Sequence, residues 1–296
     1  MKKGQLNLDI PGSIIALRAI VSKFFYQKDY FDYIFQTKGL EFEGYREYSL
    51  NDDAWAIDWK ASKRANTLLV RQYKKERDLK IAFIIDSGDG MIFGSQKKLK
   101  CEYAAELSAA IASLIIDTNN FVGFVFFSDE IKEYVPFKKG KKQLYLFSDM
   151  LKDGNNYGGP TNMELAIDFA MNYFDRDTHS IFFVSDFLNV NPKLTKKMAF
   201  LASKYDTIAI KVTDPLDKTL PKIEEEFIIE NPKTGEQLLV NPAVARRAYE
   251  RFALVKDKKI KEFFRKTGID YLELDTSKPF AVPVSVFLKK RMFNNL

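Results

Sequence analysis

The sequence is poor in the residues that most covalent and metal chemistry needs. Cys101 is its only cysteine and His179 its only histidine. A single cysteine excludes an intrachain disulfide, and with it the class of small secreted domains that several disulfides hold together. A histidine-based zinc site or a serine–histidine–aspartate triad would have to rest on His179 alone. Cys101 lies in a predicted helix, where we expect it to be a small buried apolar residue rather than a nucleophile.

Two kinds of segment are also missing. No apolar run approaches the roughly 20 residues that a membrane-spanning helix needs. The polar stretch 1–9 has no apolar core and no small-residue cleavage site after it, so no secretory leader is visible. We therefore predict a cytoplasmic protein without a transmembrane segment. With 46% hydrophobic and 29% charged residues, the chain can form a sizeable core, and extended disorder is not expected.

The 46 basic and 40 acidic residues give a net charge of +6, and basic residues lie in short runs. Nucleic-acid binding is one interpretation of such runs. The other is solvated helix faces, because acidic or core residues interrupt each run. We favour the second interpretation and predict no nucleic-acid partner. The runs are Lys138, Lys139, Lys141 and Lys142; Lys256, Lys258 and Lys259; and Lys289, Lys290 and Arg291.

From Leu79 onward, short apolar runs alternate with segments of helical periodicity. This alternation predicts an α/β fold with a doubly wound, mostly parallel sheet. The segment "IKEYVPF" alternates in polarity and follows a tight turn, which predicts an antiparallel edge strand over Ile131–Phe137. The predicted parallel strands are Ile81–Asp86, Phe121–Ser128, Ile181–Asp186 and Thr207–Thr213, with "DYLELD" as a further strand.

The chain is predicted to have two parts. Residues 1–78 would hold an N-terminal helix and a small β-rich companion, and residues 79–296 the main domain. The alternation breaks near 223–241, where Phe227–Glu230 and Gln237–Val240 read as the arms of a hairpin insertion. Because that hairpin has no place in the main sheet, we expect it to lie against residues 41–73.

Polar residues end the predicted strands at one edge of the sheet. Asp86 and Asp186 end two strands, and Thr161 opens a helix after a glycine-containing loop. Open α/β sheets bind ligands at this edge, and two carboxylates with a hydroxyl suit a hard divalent cation such as Mg²⁺ or Mn²⁺. Each residue on its own could instead cap a helix.

Several motifs resemble one known family. The segment "GLEFEGYREYSLNDDAWAIDWKASKR" is similar to the signature of the domain-of-unknown-function 58 family, in Arg46, Tyr48, Asp52 or Asp53, the run Ile57-Asp58-Trp59, Ser62 and Arg64. The stretches "IIDSGDGMIFGSQKKLKCEYAAELSAAIA", "GGPTNMELAI", "FFVSDFL", "TDPLDKTLP" and "NPKTGEQLLVNPAVARRAY" agree with it. The resemblance covers nearly the whole chain. It implies a von Willebrand factor A-like fold and a MoxR-type AAA ATPase as partner.

The same resemblance implies a metal-ion-dependent adhesion site. Asp86, Thr161 and Asp186 match its aspartate, threonine and second aspartate. Gly88 and Gly90 stand at its two serine positions and offer no side-chain oxygen, so a cation held there would keep more water ligands and bind weakly. Ser87 and Asp89 lie in the same loop at shifted positions, where they could contact a partner.

Two enzymatic interpretations compete for this loop. Gly88, Gly90 and Gly94 follow a strand and precede a helix, but their spacing is one residue longer than the dinucleotide fingerprint. An aspartate that transfers phosphoryl groups usually has a second acid two residues later, where this chain has Gly88. We therefore predict a non-enzymatic protein-binding adaptor, and the alternative is a metal-dependent or nucleotide-using enzyme at the same edge.

A second candidate surface is the segment around Asp58 and Trp59. With Arg46 and Arg64 nearby, it predicts an ion-pair cluster beneath an aromatic lid. Such a cluster could simply fasten the N-terminal segment to the main domain. Tryptophan and arginine also dominate the strongest contacts of protein interfaces, so the four residues are candidates for partner binding.

Overall fold

A six-stranded sheet forms the centre of the structure, a computed structural model that describes residues 5–24, 42–49, 52, 54–73, 79–221, 223, 225–230 and 237–294. The strand order is β10-β7-β6-β3-β4-β5. Five strands run parallel, and β5 pairs antiparallel with β4 at one edge. The strands are β3 (Lys80–Asp86), β4 (Phe121–Phe127), β5 (Ile131–Lys138), β6 (Thr178–Ser185), β7 (Asp206–Thr213) and β10 (Asp270–Asp275). The predicted parallel sheet and its antiparallel edge are confirmed.

The four inner strands are apolar along their length because helices cover both faces of the sheet. Phe83 of β3 lies in register between Phe124 of β4 and Phe182 of β6. Its ring stacks on both, with centroids 5.6 Å and 5.0 Å away. Among the described residues, 12 of the 26 phenylalanines of the sequence are buried, so much of the aromatic content belongs to the core.

Eight helices are described. One face of the sheet packs against α3, α4 and α8, and the other against α5, α6 and α7, while α1 packs on α3 and α8. Every residue of α3 from Lys100 to Ile116 is buried, since other helices enclose it on the side away from the sheet. The helices are α1 (Ile10–Phe24), α2 (Trp59–Ala65), α3 (Lys100–Asp117), α4 (Lys141–Lys152), α5 (Met163–Tyr173), α6 (Leu194–Lys204), α7 (Pro242–Thr267) and α8 (Ala281–Asn294). None of the helices in these ranges is long and apolar enough to cross a membrane.

The N-terminal helix α1 packs on the main domain. Its Leu17 and Val21 are buried in the same cluster as the apolar residues of α3 and α8. The buried Glu106 of α3 accepts hydrogen bonds from the backbone N–H of Asp9 and from the hydroxyl of Ser13. Within the described residues, α1 thus packs on α3 and α8, and the division of the chain after residue 78 stays a prediction.

Two small antiparallel sheets stand apart from the central one. β1 (Phe42–Glu47) pairs with β2 (Leu69–Tyr73), and β8 (Phe227–Glu230) pairs with β9 (Gln237–Val240). The two arms of the predicted hairpin thus do pair with each other. They share no strand ladder with β1 and β2, and their packing against residues 41–73 stays a prediction.

The place of α1 in the core gives a first test. Leu17→Ala removes a fully buried side chain and should lower the free energy of unfolding of the whole domain by about 2–5 kcal/mol. Ile15→Ala on the same helix is the matched control, because Ile15 is 66% exposed and its loss should change that free energy by less than about 0.5 kcal/mol. Urea unfolding followed by circular dichroism measures both. Equal effects of the two substitutions would contradict the packing of α1 on α3.

Candidate functional site

The carboxyl ends of the parallel strands meet at one edge, which we call the strand-end rim. It consists of residues 86–99, 128–130, 157–162, 186–189 and 214–217. Asp86 ends β3, Asp186 follows β6, and Asp214 follows β7. All three carboxylates are almost completely buried, so each needs partners within the protein.

Asp86 is held by three hydrogen bonds. Its Oδ1 accepts from the Gly88 N–H at 2.9 Å and from the Thr161 hydroxyl at 3.1 Å. Its Oδ2 accepts from the Ser185 hydroxyl at 2.6 Å. Burial, and secondly the charge of Asp186, nonetheless raise the pKa of Asp86 to about 7. The structure thus brings Asp86 and Thr161 into direct contact, with Asp186 close enough to act on Asp86 electrostatically.

Asp186 is bound to a lysine that the sequence had not drawn attention to. Its Oδ2 accepts from Lys100 Nζ at 3.0 Å, while its Oδ1 accepts from the Leu188 N–H at 3.0 Å. Lys100 also reaches Asp217 Oδ2 at 3.3 Å. Burial acts to lower the pKa of Lys100, but the two carboxylates outweigh it and raise that pKa above its ordinary value. Lys100 therefore lies in the rim as a fixed positive charge.

One sequence signal could have revealed Lys100. It is the first residue of α3, where the helix dipole disfavours a cation, and the rest of that helix is largely apolar. A lysine in such a position requires carboxylates close by. The sequence does not show which ones, since they lie 86 and 117 positions further along the chain.

The two glycines of the loop fit closely against the carboxylates. A Cβ at Gly88 would lie 2.2 Å from Thr161 Oγ1 and 3.2 Å from the Gly159 carbonyl oxygen. A Cβ at Gly90 would lie 2.8 Å from Asp186 Oδ2. Serines at these positions would collide with the residues that an adhesion-type metal site uses.

These observations do not fit the divalent-cation site suggested for Asp86, Thr161 and Asp186. Lys100 holds the Asp186 oxygen that a cation would need, and the protein's own donors use both oxygens of Asp86. Within the described ranges, no group of three or more histidine, cysteine, aspartate or glutamate side chains is arranged to bind a metal ion. The ammonium group of Lys100 instead neutralises the charge of Asp186.

Further contacts fix the rim loops. Asp89 Oδ1 accepts from the Gly159 N–H at 2.8 Å, and the Asp89 N–H donates to the Gly159 carbonyl at 2.8 Å. Asp214 accepts from the backbone and hydroxyl of Ser95 and from Thr276, which ties the loop after β3 to β7 and β10. Ser87, a predicted partner-binding residue, is fully buried and donates to the Phe127 carbonyl. Its hydroxyl therefore does not face outward.

The outer surface of the rim offers different residues. Phe93 is 42% exposed. The carboxylate side chains of Asp129 and Glu130, in the turn between β4 and β5, are 52% and 69% exposed. Lys132 Nζ lies 3.9 Å from Asp129 Oδ1 and 2.7 Å from Glu130 Oε1 and neutralises part of their charge. A ligand that approaches the rim would therefore meet an aromatic ring and a partly neutralised acidic turn, since Asp86, Lys100 and Asp186 are buried.

The second candidate surface is arranged differently from the prediction. Asp58 caps α2 and accepts from Arg71 Nε at 2.8 Å, so Arg71 is the arginine that pairs with it. Arg46 instead pairs with Asp52, while Asp53, the other acid of that motif, lies outside the described residues. The Arg64 guanidinium donates to the Lys60 carbonyl within α2. Trp59 is 66% exposed and forms no lid.

Comparisons with known proteins agree with this architecture. Residues 44–259 match the family described as "Protein of unknown function DUF58". Uncharacterized proteins of Mycobacterium tuberculosis and Mycobacterium bovis are 23% identical over 250 residues, 83% of this chain and 78% of theirs.

Among solved structures, BatB of Bacteroides thetaiotaomicron is similar with a TM-score of 0.50 and 14% identity, over 72% of this chain and 98% of that one. The von Willebrand factor A (VWA) domain of SpRpn10 is similar with a TM-score of 0.41 and 12% identity, over 70% of this chain and 96% of that one. The likeness to BatB shows a shared fold.

The contact of Gly88 with Thr161 generates a second test. Gly88→Ser restores the serine of an adhesion-type loop, yet it should lower the free energy of unfolding by about 1–3 kcal/mol, because Thr161 must move away from Asp86. Gly44→Ser is the control, since a Cβ there meets nothing within 4 Å. Urea unfolding with and without 5 mM Mg²⁺ measures both effects. A Gly88→Ser protein that Mg²⁺ stabilises would show that the rim can accept a metal.

The raised pKa of Asp86 generates a third test. Between the ordinary value of 3.8 and about 7, the folded protein binds a proton on Asp86 and the unfolded chain does not. The free energy of unfolding should therefore fall as the pH rises through this window, by up to about 1.4 kcal/mol per pH unit from this group. Asp86→Asn removes the group, so the difference between variant and wild type should follow that slope. A difference independent of pH from 4 to 7 would contradict the assignment.

Proposed function

The chain belongs to the DUF58 family of proteins of unknown function, and from this premise we propose that it is a non-enzymatic adaptor that binds a partner protein through the strand-end rim. The pairing of Lys100 with Asp186 carries the proposal. It satisfies within the protein the charge that would otherwise attract a metal or a substrate. The rim is then a rigid platform whose outer groups are available for contact.

The internal contacts of the rim support binding rather than chemistry. Asp86 has the perturbed pKa expected of an acid–base catalyst, but it is 1% exposed and accepts three hydrogen bonds. A general base must come within hydrogen-bond reach of its substrate, and the loops over Asp86 are fastened to their neighbours. We therefore assign Asp86 to the architecture of the rim.

The partner in this proposal is a MoxR-type AAA ATPase. The support is the resemblance of the sequence motifs to a family associated with such ATPases. On the rim, Phe93 provides an exposed aromatic anchor, and Asp129 and Glu130 provide two carboxylates that the single lysine Lys132 neutralises only in part. This arrangement fits a complementary basic surface. Because an ATPase draws on the nucleotide pool of the cell, a cytoplasmic location is part of the proposal.

The alternative function is a metal-dependent or nucleotide-using enzyme at the same rim, for which the perturbed pKa of Asp86 is the favouring observation. The two proposed functions predict different effects of added ligands on the thermal stability of the protein. A ligand that binds the folded protein at 100 times its Kd adds about 2.7 kcal/mol to the free energy of unfolding. The adaptor should show no such gain with Mg²⁺, Mn²⁺ or ATP in a thermal shift assay.

Capture of the ATPase tests the adaptor directly. The immobilised chain should bind the purified MoxR-type ATPase of the same organism in biolayer interferometry. Phe93→Ala and Glu130→Lys should each weaken binding about tenfold or more. The affinity of the wild-type chain should be the same with and without EDTA in nucleotide-free buffer.

Phe200→Ala is the matched control for the capture experiment. Phe200 is an exposed phenylalanine on α6, near the opposite end of the strands, and its loss should leave capture unchanged. The absence of capture by the wild-type chain would refute the ATPase as partner. Wild-type affinity of both rim variants would refute the rim as the binding surface.

A further inference from the structure

A second candidate binding surface lies outside the strand-end rim, on a small unit of the protein. We call it the clasp unit: β1, the turn Ala54–Ala56, α2 and β2. Asp58 lies at its centre. The carboxylate accepts from the N–H groups of Lys60 and Ala61, from the Tyr45 hydroxyl and from Arg71. These donors lower the pKa of Asp58 to about 2, and the Ala61 N–H has the largest effect. The carboxylate of Asp58 is therefore bound by groups of the clasp unit itself.

Other contacts fix the position of α2 on the strands. The Ser62 hydroxyl donates to the Asp58 carbonyl at 2.7 Å and accepts from the Leu69 N–H at 2.9 Å. The helix ends at Asn66, which takes the left-handed conformation of a C-cap. A short helix held at both ends loses little conformational freedom on binding, which favours affinity.

A groove of about 500 Å³ opens between α2 and the turn before β2. It is lined by Trp59, Ser62, Lys63, Asn66, Thr67 and Leu68. Trp59 and Leu68 are 66% and 43% exposed, and Trp59 is one of only two tryptophans in the chain. A large indole surface left in water beside a concavity marks a contact site, because tryptophan is the residue most enriched among interface hot spots.

The charged residues of α2, beside the groove, are all basic. Lys60, Lys63 and Arg64 are exposed on α2, and within the described part of the chain no carboxylate lies within salt-bridge distance of any of them. Asp58, the nearby acid, is occupied by the contacts given above. A ligand that fits this surface must supply negative charge and an apolar side chain together.

We propose that this groove binds an acidic segment of a partner protein, with one aromatic or aliphatic side chain against Trp59 and Leu68 and carboxylates beside Lys60, Lys63 and Arg64. The site is distinct from the rim, and it extends the proposed adaptor function to a second surface. Single-stranded nucleic acid also combines negative charge with planar groups. Proteins that bind it present several stacking side chains along a basic track, whereas this groove has one indole and an aliphatic neighbour.

The test uses the indole N–H signals of the full chain in ¹H–¹⁵N NMR. Two tryptophans give two such signals, and Trp59→Phe identifies the one from Trp59. The probes are blocked pentapeptides: four glutamates around a phenylalanine, four lysines around a phenylalanine, and four glutamates around a glycine. An eight-nucleotide oligothymidine is the fourth probe.

The glutamate–phenylalanine peptide should shift the Trp59 signal saturably. The lysine peptide should not, and the glycine peptide should bind about tenfold more weakly. Lys63→Glu should weaken binding of the first peptide about tenfold, because it reverses a charge beside the groove. Lys142→Glu, an exposed lysine on α4, and Phe93→Ala on the rim should leave that binding unchanged.

Three results would overturn the proposal: no saturable shift with the glutamate–phenylalanine peptide, an equal shift with the lysine peptide, or tighter binding of the oligothymidine. The experiment uses no ATPase and a rim variant serves as control. A failure of the rim proposal therefore leaves the result at the groove interpretable, and the reverse also holds.

Discussion

The ion pair between Lys100 and Asp186 determines the charge balance and the internal contacts of the strand-end rim. It joins the start of α3 to the end of β6, and Lys100 extends the link to Asp217 after β7. Loss of one partner from such a buried pair costs about 3–5 kcal/mol, because the other charge remains buried alone. The glycine loop depends on the same pair, since any side chain at Gly90 would press on the Asp186 oxygen that Lys100 holds.

Asp86 is the other buried carboxyl group next to this ion pair, and it has no basic side chain as a partner among its hydrogen-bond donors. The lysine neutralises Asp186, but Asp86 has only neutral donors, and burial therefore favours its protonated form. Exposed charged groups mark the two candidate surfaces. The strand-end rim has Asp129 and Glu130, which Lys132 neutralises in part, and the clasp unit has the basic residues Lys60, Lys63 and Arg64.

Much of the fold could be predicted because its signals are local. β3, β4 and β6 are continuous apolar runs, and only a parallel sheet covered on both faces buries such runs completely. Helix α8 was missed, since its sequence carries Pro283 and the alternating valines Val282, Val284 and Val286, which have low helix propensity and resemble a strand pattern. α1 was predicted as a helix, but its sequence did not show that it packs on α3 and α8. The buried Glu106 that fastens its start lies more than 90 positions away in sequence.

The sequence by itself determined which strand ends would meet, because parallel strands place all their carboxyl ends at one edge. It therefore predicted that Asp86, Thr161 and Asp186 would lie at that edge. Only the tertiary structure decided their partners: Lys100 for Asp186, Ser185 for Asp86, and Arg71 rather than Arg46 or Arg64 for Asp58. A hydrogen bond or ion pair forms only when the distance between two side-chain atoms is correct to within a few tenths of an ångström. For side chains distant in sequence, only the packed fold sets that distance.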